Sequence, residues 1–150
     1  MKSIHLICVG KLKEKKTLDL EQDFLKRIRE PNLVIHETKT FQEDVQLEGA
    51  EVLKKIDSLS KSPHIVALTE KGQSFDSLKF SEWLTQTLEH SGSLFFVIGG
   101  SKGHGENLLA RTQEEISLSK LTFPHQFARL LLVEQLYRAQ TLRVGHPYHK

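Results

Sequence analysis

The amino-acid sequence predicts an α/β fold, a mostly parallel sheet with helices on both faces, in one domain spanning residues 1–150. Three observations predict it. Segments of strand character alternate with segments of helical period, as in successive β-α-β units. Leu94-Phe95-Phe96-Val97-Ile98 is an unbroken apolar run of strand length, expected of a central strand covered on both faces. The 150 residues hold no internal repeat, low-complexity stretch or linker, and a chain of that size buries roughly 70% of its unfolded surface.

Ser3 to Val9 is short, apolar and rich in β-formers, and reads as the first strand. Leu18, Leu20, Phe24, Leu25 and Ile28 recur at helical spacing, and Pro31 stops that helix. Leu33 to Thr38 alternates like a strand, and Val52, Leu53, Ile56 and Leu59 mark a second helix. His64 to Leu68 is a strand, after which Lys71-Gly72-Gln73 is expected to turn the chain. Asp76 or Ser77 can cap a third helix with Phe80, Trp83, Leu84 and Leu88 on one side. The central strand 94–98 leads into a glycine-rich loop, Gly99 to Gly105, and a short helix from Glu106 to Thr112. Ile116 to Leu118 is a short last strand, and Pro124 suits the first turn of a long helix ending near Val144. In open α/β sheets ligands bind beyond the carboxyl ends of the strands, so the loops after Leu68, Ile98 and Leu118 are the default ligand edge.

The composition, 38% hydrophobic and 27% charged, is that of a globular chain. No apolar run approaches the ~20 residues of a membrane span. Met1 to Val9 is interrupted by His5 and followed by Lys11, Lys13, Lys15 and Lys16, with no small-residue cleavage pattern, and so does not read as a signal peptide. One cysteine, Cys8, allows no intrachain disulfide and fits a reducing cytoplasm. The formal net charge of +2 conceals an asymmetry. Residues 119–150 carry five basic groups against one acid, Glu134, while the remaining 16 basic and 18 acidic groups leave the first 118 residues at −2. Three of the eight histidines, His125, His146 and His149, also lie in that basic segment. A solvated helix face with a basic tail and a nucleic-acid contact both fit this pattern.

On the last helix, at ~100° per residue, Phe127, Leu131, Glu134 and Arg138 fall on nearly one line, and Leu132, Val133, Leu136 and Tyr137 cover most of the opposite side. A helix apolar all round is buried all round. That implies a second subunit over one face or, alternatively, a central core helix. Glu134 and Arg138 are four apart and can pair. On an exposed helix such a pair contributes only ~0.3–0.5 kcal/mol. Partly desolvated, it costs more than it returns unless the groups are hydrogen-bonded or used, so a structural and a functional pair both stand open.

The loop Gly99-Gly100-Ser101-Lys102-Gly103-His104-Gly105 fails both phosphate templates. No Gly-Lys-Ser/Thr follows a first glycine at the P-loop spacing, and Leu108 stands where the dinucleotide fingerprint needs a third glycine. Its glycines still allow a tight strand-to-helix turn or close approach of backbone to a ligand. His146 and His149 flank Pro147-Tyr148 with no cysteine or acid beside them, so no metal site is expected. The tail's aromatic ring, two imidazoles and terminal Lys150 suit a base, a hydrogen-bond donor and a phosphate contact. Cys8, in an apolar strand, reads as core rather than nucleophile, and the Lys11–Lys16 run as a solvated loop that could also touch phosphates.

Several segments together resemble one family. They are Cys8-Val9-Gly10-Lys11-Leu12-Lys13, Ala67-Leu68-Thr69-Glu70-Lys71-Gly72 and Phe96-Val97-Ile98-Gly99-Gly100-Ser101-Lys102-Gly103. Leu118-Ser119-Lys120-Leu121-Thr122-Phe123-Pro124-His125 with Arg129, Glu134-Gln135-Leu136-Tyr137-Arg138-Ala139, and His146-Pro147-Tyr148-His149 complete the set. In this order and spacing the chain is similar, over essentially its whole length, to the bacterial ribosomal large-subunit RNA methyltransferases of the RlmH type, in the SPOUT superfamily.

That resemblance implies an α/β domain with a deep C-terminal trefoil knot, which general topology rules would not predict. It implies a homodimer packed through the knot, and methyl transfer from S-adenosylmethionine to N3 of a pseudouridine in 23S rRNA of the assembled ribosome, with no metal. By the same resemblance the cofactor residues are Leu68, Gly99, Leu118, Ser119, Lys120, Leu121, Thr122 and Phe123. His149 or Tyr148 is the candidate base, Arg138 would stabilise the developing anion and Glu134 would orient Arg138. Lys120, Arg129, Arg143 and Lys150 would hold RNA phosphates. His104 is given no role.

Overall fold

The structure, a computed structural model, describes residues 3–150. Five strands, β1 (Ile4–Val9), β2 (Leu33–Thr38), β3 (Pro63–Ser74), β4 (Ser93–Ile98) and β5 (Glu114–Ser117), form one sheet in the order β2-β1-β4-β3-β5. Every strand pair in it is parallel. The helices are α1 (Lys15–Arg27), α2 (Val45–Leu59), α3 (Ser77–His90), α4 (Glu106–Leu109) and α5 (His125–Val144).

The period-2 alternation of the strands divides the core into two layers. Leu6, Cys8, Leu94, Phe96 and Ile98 point into one cluster with Phe80, Leu84, Leu132 and Leu136. Ile7, Val9, Phe95 and Val97 point into the other, with Val52 and Ile56 of α2 and Leu108 of α4. Helices α1, α3 and α5 therefore cover one face, and α2 and α4 the other. Strand β4 is covered on both sides, which is why Leu94 to Ile98 is continuously apolar, while β1 beside it is apolar except at the half-buried His5.

Local chemistry sets the helix starts. The Asp44 carboxylate accepts from the Gln46 and Leu47 amides, and Asp76 accepts from Lys79 N at 2.8 Å. Helix α5 starts directly after Pro124 and ends at Gly145, whose φ of 75° places it in the left-handed region. Gly145 N bonds Leu142 O and His146 N bonds Thr141 O, the paired contacts of a Schellman ending.

Three expectations are corrected. The chain does not turn back at Lys71-Gly72-Gln73; β3 runs on to Ser74. Leu68 and Gln73 both register with Ile116, so residues 69–72 are extra to the ladder. A Cβ on Gly72 would lie 2.6 Å from Ile116 backbone, so this glycine presses β3 against β5 where a turn glycine would reverse the chain. The helix after the glycine loop stops at Leu109, with Arg111 N and Thr112 N bonding back to Leu108 O and Leu109 O in tighter turns, and the last strand is 114–117 rather than 116–118. On α5 one face is open in a single chain, which rules out the central core helix and leaves the reading in which a second subunit covers that face. Leu132, Val133 and Leu136 are buried where α1 and α3 pack, but Phe127 and Leu131, on the far side, are 54% and 41% exposed.

Among the described residues no helix is long and apolar enough to cross a membrane, and no group of three His, Cys, Asp or Glu could hold a metal ion.

Candidate functional site

The carboxyl edge of the sheet opens into a cleft of about 790 Å³, within the range of small-molecule sites. Its walls come from the extra residues of β3, the loop after β4, and the loop between β5 and α5. Seven of the eight residues expected at a cofactor, Leu68, Gly99, Leu118, Ser119, Leu121, Thr122 and Phe123, line it. Lys120 is exposed and does not line the cleft.

Short hydrogen bonds shape these walls. Ser117 Oγ donates to Ser119 O at 2.8 Å, and Ser119 Oγ accepts from Leu121 N at 3.0 Å, folding the loop after β5 on itself. A Cβ on Gly99 would come within 2.6 Å of Gly103 O, so only glycine lets the loop after β4 close this tightly. His104 Nε2 lies 2.8 Å from Leu68 O. A carbonyl only accepts, so Nε2 carries the ring proton. Nδ1 is buried with no hydrogen-bond partner among the described residues. Burial pushes the His104 pKa down, against the Leu68 contact and the nearby Glu115. The residue that sequence reasoning left without a role thus fixes the carbonyl of Leu68, at the point where β3 leaves its ladder.

The four residues expected to carry chemistry meet on α5. The turn at Gly145 folds the tail back so that the Tyr148 ring meets Tyr137 edge-on at 4.7 Å and lies 4.9 Å from the Arg138 guanidinium. Arg138 grips Glu134 with two nitrogens, Nη2 to Oε2 at 2.6 Å and Nε to Oε1 at 3.3 Å. Tyr148 OH donates to Glu134 Oε2 at 2.8 Å, and Gln135 Nε2 donates to Oε1 at 3.0 Å. Arg138 Nη1 is 3.0 Å from His149 Nδ1. The hydrogen bonds that Arg138 donates to Glu134 raise its pKa above the usual range and hold it charged. Burial, then Glu134, raises the Tyr148 pKa and keeps its proton on. Ala128 is the last residue of α5 at the cleft, so Glu134 begins six residues, ~9 Å, further along the helix.

The four residues expected at RNA phosphates divide. Lys120, Arg143 and Lys150 are exposed, and Arg143 also donates to Glu30 O. Arg129 does not belong with them. It is 6% exposed and gives Glu21 a bidentate pair, Nε to Oε2 at 2.7 Å and Nη2 to Oε1 at 2.8 Å, while Nη1 reaches Glu37 Oε2 at 2.6 Å. These bonds hold it charged despite burial. All three nitrogens are bonded inside the protein and the side chain is buried, so no N–H of Arg129 reaches a phosphate at the surface. Cys8 nearby is inert, its thiol pushed up to about 12 by burial.

A wholly parallel sheet, a cofactor-sized cleft at its carboxyl edge and a polar cluster on the neighbouring helix define a small α/β enzyme. The chain belongs to the SPOUT methyltransferase family: the family model described as "Predicted SPOUT methyltransferase" matches residues 1–149. Relatives named "Ribosomal RNA large subunit methyltransferase H" agree. That of Prochlorococcus marinus (strain NATL1A) is 41% identical over 145 residues, 97% of this chain and 94% of the relative. That of Clostridium acetobutylicum is 35% identical over 158 residues, covering 99% of each, and that of Acholeplasma laidlawii is 34% identical over 148 residues, covering 98% and 99%.

Proposed function

We propose that this enzyme transfers the methyl group of S-adenosylmethionine to N3 of a pseudouridine in 23S rRNA, on the assembled ribosome in the cytoplasm, as a homodimer. The observation that carries the reading is the assembly of Glu134, Arg138, Tyr148 and His149 into one bonded cluster on the helix that also borders the cleft. The names of the relatives supply the substrate class.

The cleft fits the cofactor. Its volume suits a nucleoside-sized ligand, and the close-packed backbone at Gly99 and Gly103 lets main-chain groups meet a purine edge. Leu68, Gly99 and the Leu118–Phe123 loop would hold it. Bound there, the cofactor supplies a methyl activated by its sulfonium, which leaves with the carbon–sulfur pair staying on sulfur.

The protein's own residues then position a flat base and the charge that develops on it. Glu134 locks Arg138 in a fixed direction, and Tyr148 stacks the tail against both. The trefoil threading expected of the family would bring the loop after β5 through the chain to the cleft. A second copy laid on the Phe127–Leu131 stripe would cover the apolar surface that one chain leaves exposed, and would bring a partner's tail toward the cleft. Lys120, Arg143 and Lys150 would meet phosphates.

The deciding experiment treats ribosomes, free rRNA and tRNA with enzyme and isotope-labelled cofactor, maps the methyl by mass, and records the sedimentation of the enzyme. Label at N3 of a pseudouridine in ribosomes, with little in free rRNA, is expected from a dimeric enzyme. Label in tRNA assigns a different RNA; no label with no calorimetric binding of cofactor makes the chain a binding module. A fully active monomer removes the homodimer.

A further inference from the structure

The cluster at the tail is rich in donors, and no side chain in it is free to take up a proton. Arginine carries only donors, so the 3.0 Å contact from Arg138 Nη1 makes His149 Nδ1 the acceptor. A neutral imidazole whose Nδ1 is unprotonated carries its proton on Nε2. Each ring nitrogen is then committed: Nδ1 faces Arg138, and Nε2 already holds a hydrogen. To take a proton from a substrate, His149 would have to receive it at Nδ1, against the guanidinium. Tyr148 is no better placed, because its hydroxyl hydrogen is given to Glu134 Oε2 at 2.8 Å. Glu134 accepts from Arg138 Nε and Nη2, from Gln135 and from Tyr148, and has no lone pair left for a substrate.

We infer that His149 acts on the substrate base as a hydrogen-bond donor through Nε2–H, and that the proton on N3 leaves to solvent hydroxide rather than to any side chain of this cluster. The inference rests on the N3 reading given above. The charge balance is simple. Hydroxide takes the N3 proton and becomes water, and the electron pair of the N–H bond stays on the ring, shared by N3 and the carbonyl oxygens on either side. His149 Nε2–H and the Arg138 guanidinium meet that spread charge, and the N3 pair forms the new bond to the methyl carbon. The groups around His149 favour this role. Arg138 and Glu134 face it from α5, and His146, Tyr148 and Lys150 flank it on the tail, with His146 Nδ1 accepting from Tyr148 N at 3.2 Å. A second proton on His149 would put an imidazolium against Arg138.

The inference separates from a base mechanism in two readouts. In protein labelled with ¹³C and ¹⁵N histidine, the carbon and nitrogen shifts of His149, assigned against His149→Asn, report the tautomer directly. The Nε2–H form is expected; the Nδ1–H form overturns the inference. In single-turnover methylation of ribosomes, the rate should climb about tenfold per pH unit through neutrality and beyond pH 8, because hydroxide is the base. A plateau set by an imidazole overturns it. Asparagine at 149 can still accept from Arg138 but has nothing at the Nε2 position, so His149→Asn should lose about 10²-fold, as when one oxyanion donor is removed. His149→Gln restores an N–H there and should stay within about tenfold of wild type. Equal losses in both variants, with unchanged cofactor affinity, also refute the donor role. If mapping puts the methyl at another atom, the function proposed above fails while the tautomer still stands as measured.

Discussion

Arg129 and Arg138 sit nine residues apart on α5, each held by a carboxylate through two nitrogens, yet they are built differently. Nine residues at ~100° each put them on opposite faces of the helix. The partners of Arg129 come from α1 and β2, so one guanidinium ties three elements together inside the fold. The partner of Arg138 lies one turn away on the same helix, so that pair ties nothing distant, and its third nitrogen turns to the tail. An ion pair drawn from remote elements consumes the charge for structure. One closed within a helical turn fixes the charge in direction and leaves it usable.

The largest effect expected from this contrast is on stability. Arg129→Met leaves Glu21, 1% exposed, as a buried carboxylate without its partner, which costs about 3–5 kcal/mol. Urea unfolding measures it, and a cost below about 1 kcal/mol would erase the distinction between the two sites. Arg138→Ala should do the reverse: about 10²–10³-fold slower methyl transfer, as for loss of a preorganised donor, with calorimetric cofactor affinity kept. A large loss of fold with normal turnover would instead make the pair structural.

The smallest effect is in acid. Burial opposes ionisation of Glu37, but hydrogen bonds from Arg129 and the Leu12 amide outweigh it, so its carboxyl sits below the usual range. A depressed carboxyl contributes stability that is full above the unfolded value of ~4.3 and is lost as pH falls through the folded value. Glu37→Gln should flatten that part of the pH profile of the unfolding midpoint, and leave the profile above pH 6 unchanged in shape. An unaltered acid limb would show that Glu37 is not the group responsible.

Which parts of this were legible in sequence follows from chain distance. The strands, the Asp76 cap and the Pro124 start rest on neighbours a few residues away, and so does the Glu134–Arg138 pair. The role of Arg129 does not: Glu21 and Glu37 are 108 and 92 residues upstream, and in sequence the arginine merely joins a basic segment. Gly72 has the look of a turn glycine because the backbone it presses on, Ile116, comes much later in the chain. His104 has no neighbour that explains it; the carbonyl it holds is 36 residues away. The donor character of the tail was hidden for another reason. Residue type allows histidine to be acid, base or donor, and only the partner of Nδ1 decides.

The central seam of the sheet bears on how the protein folds. Strands β1 and β4 lie side by side with Ile4 opposite Leu94, a pairing across ninety residues of chain. The pairs β1–β2 and β3–β4 each close only about thirty residues, Ile4 with Leu33 and Pro63 with Ser93. Loop closure makes long-range pairing slow to arrive. The sheet should therefore assemble from its two sides, with the join at its middle the late step, and changes at Leu6 or Phe96, which face each other across that join, should be felt most in the rate at which the halves meet.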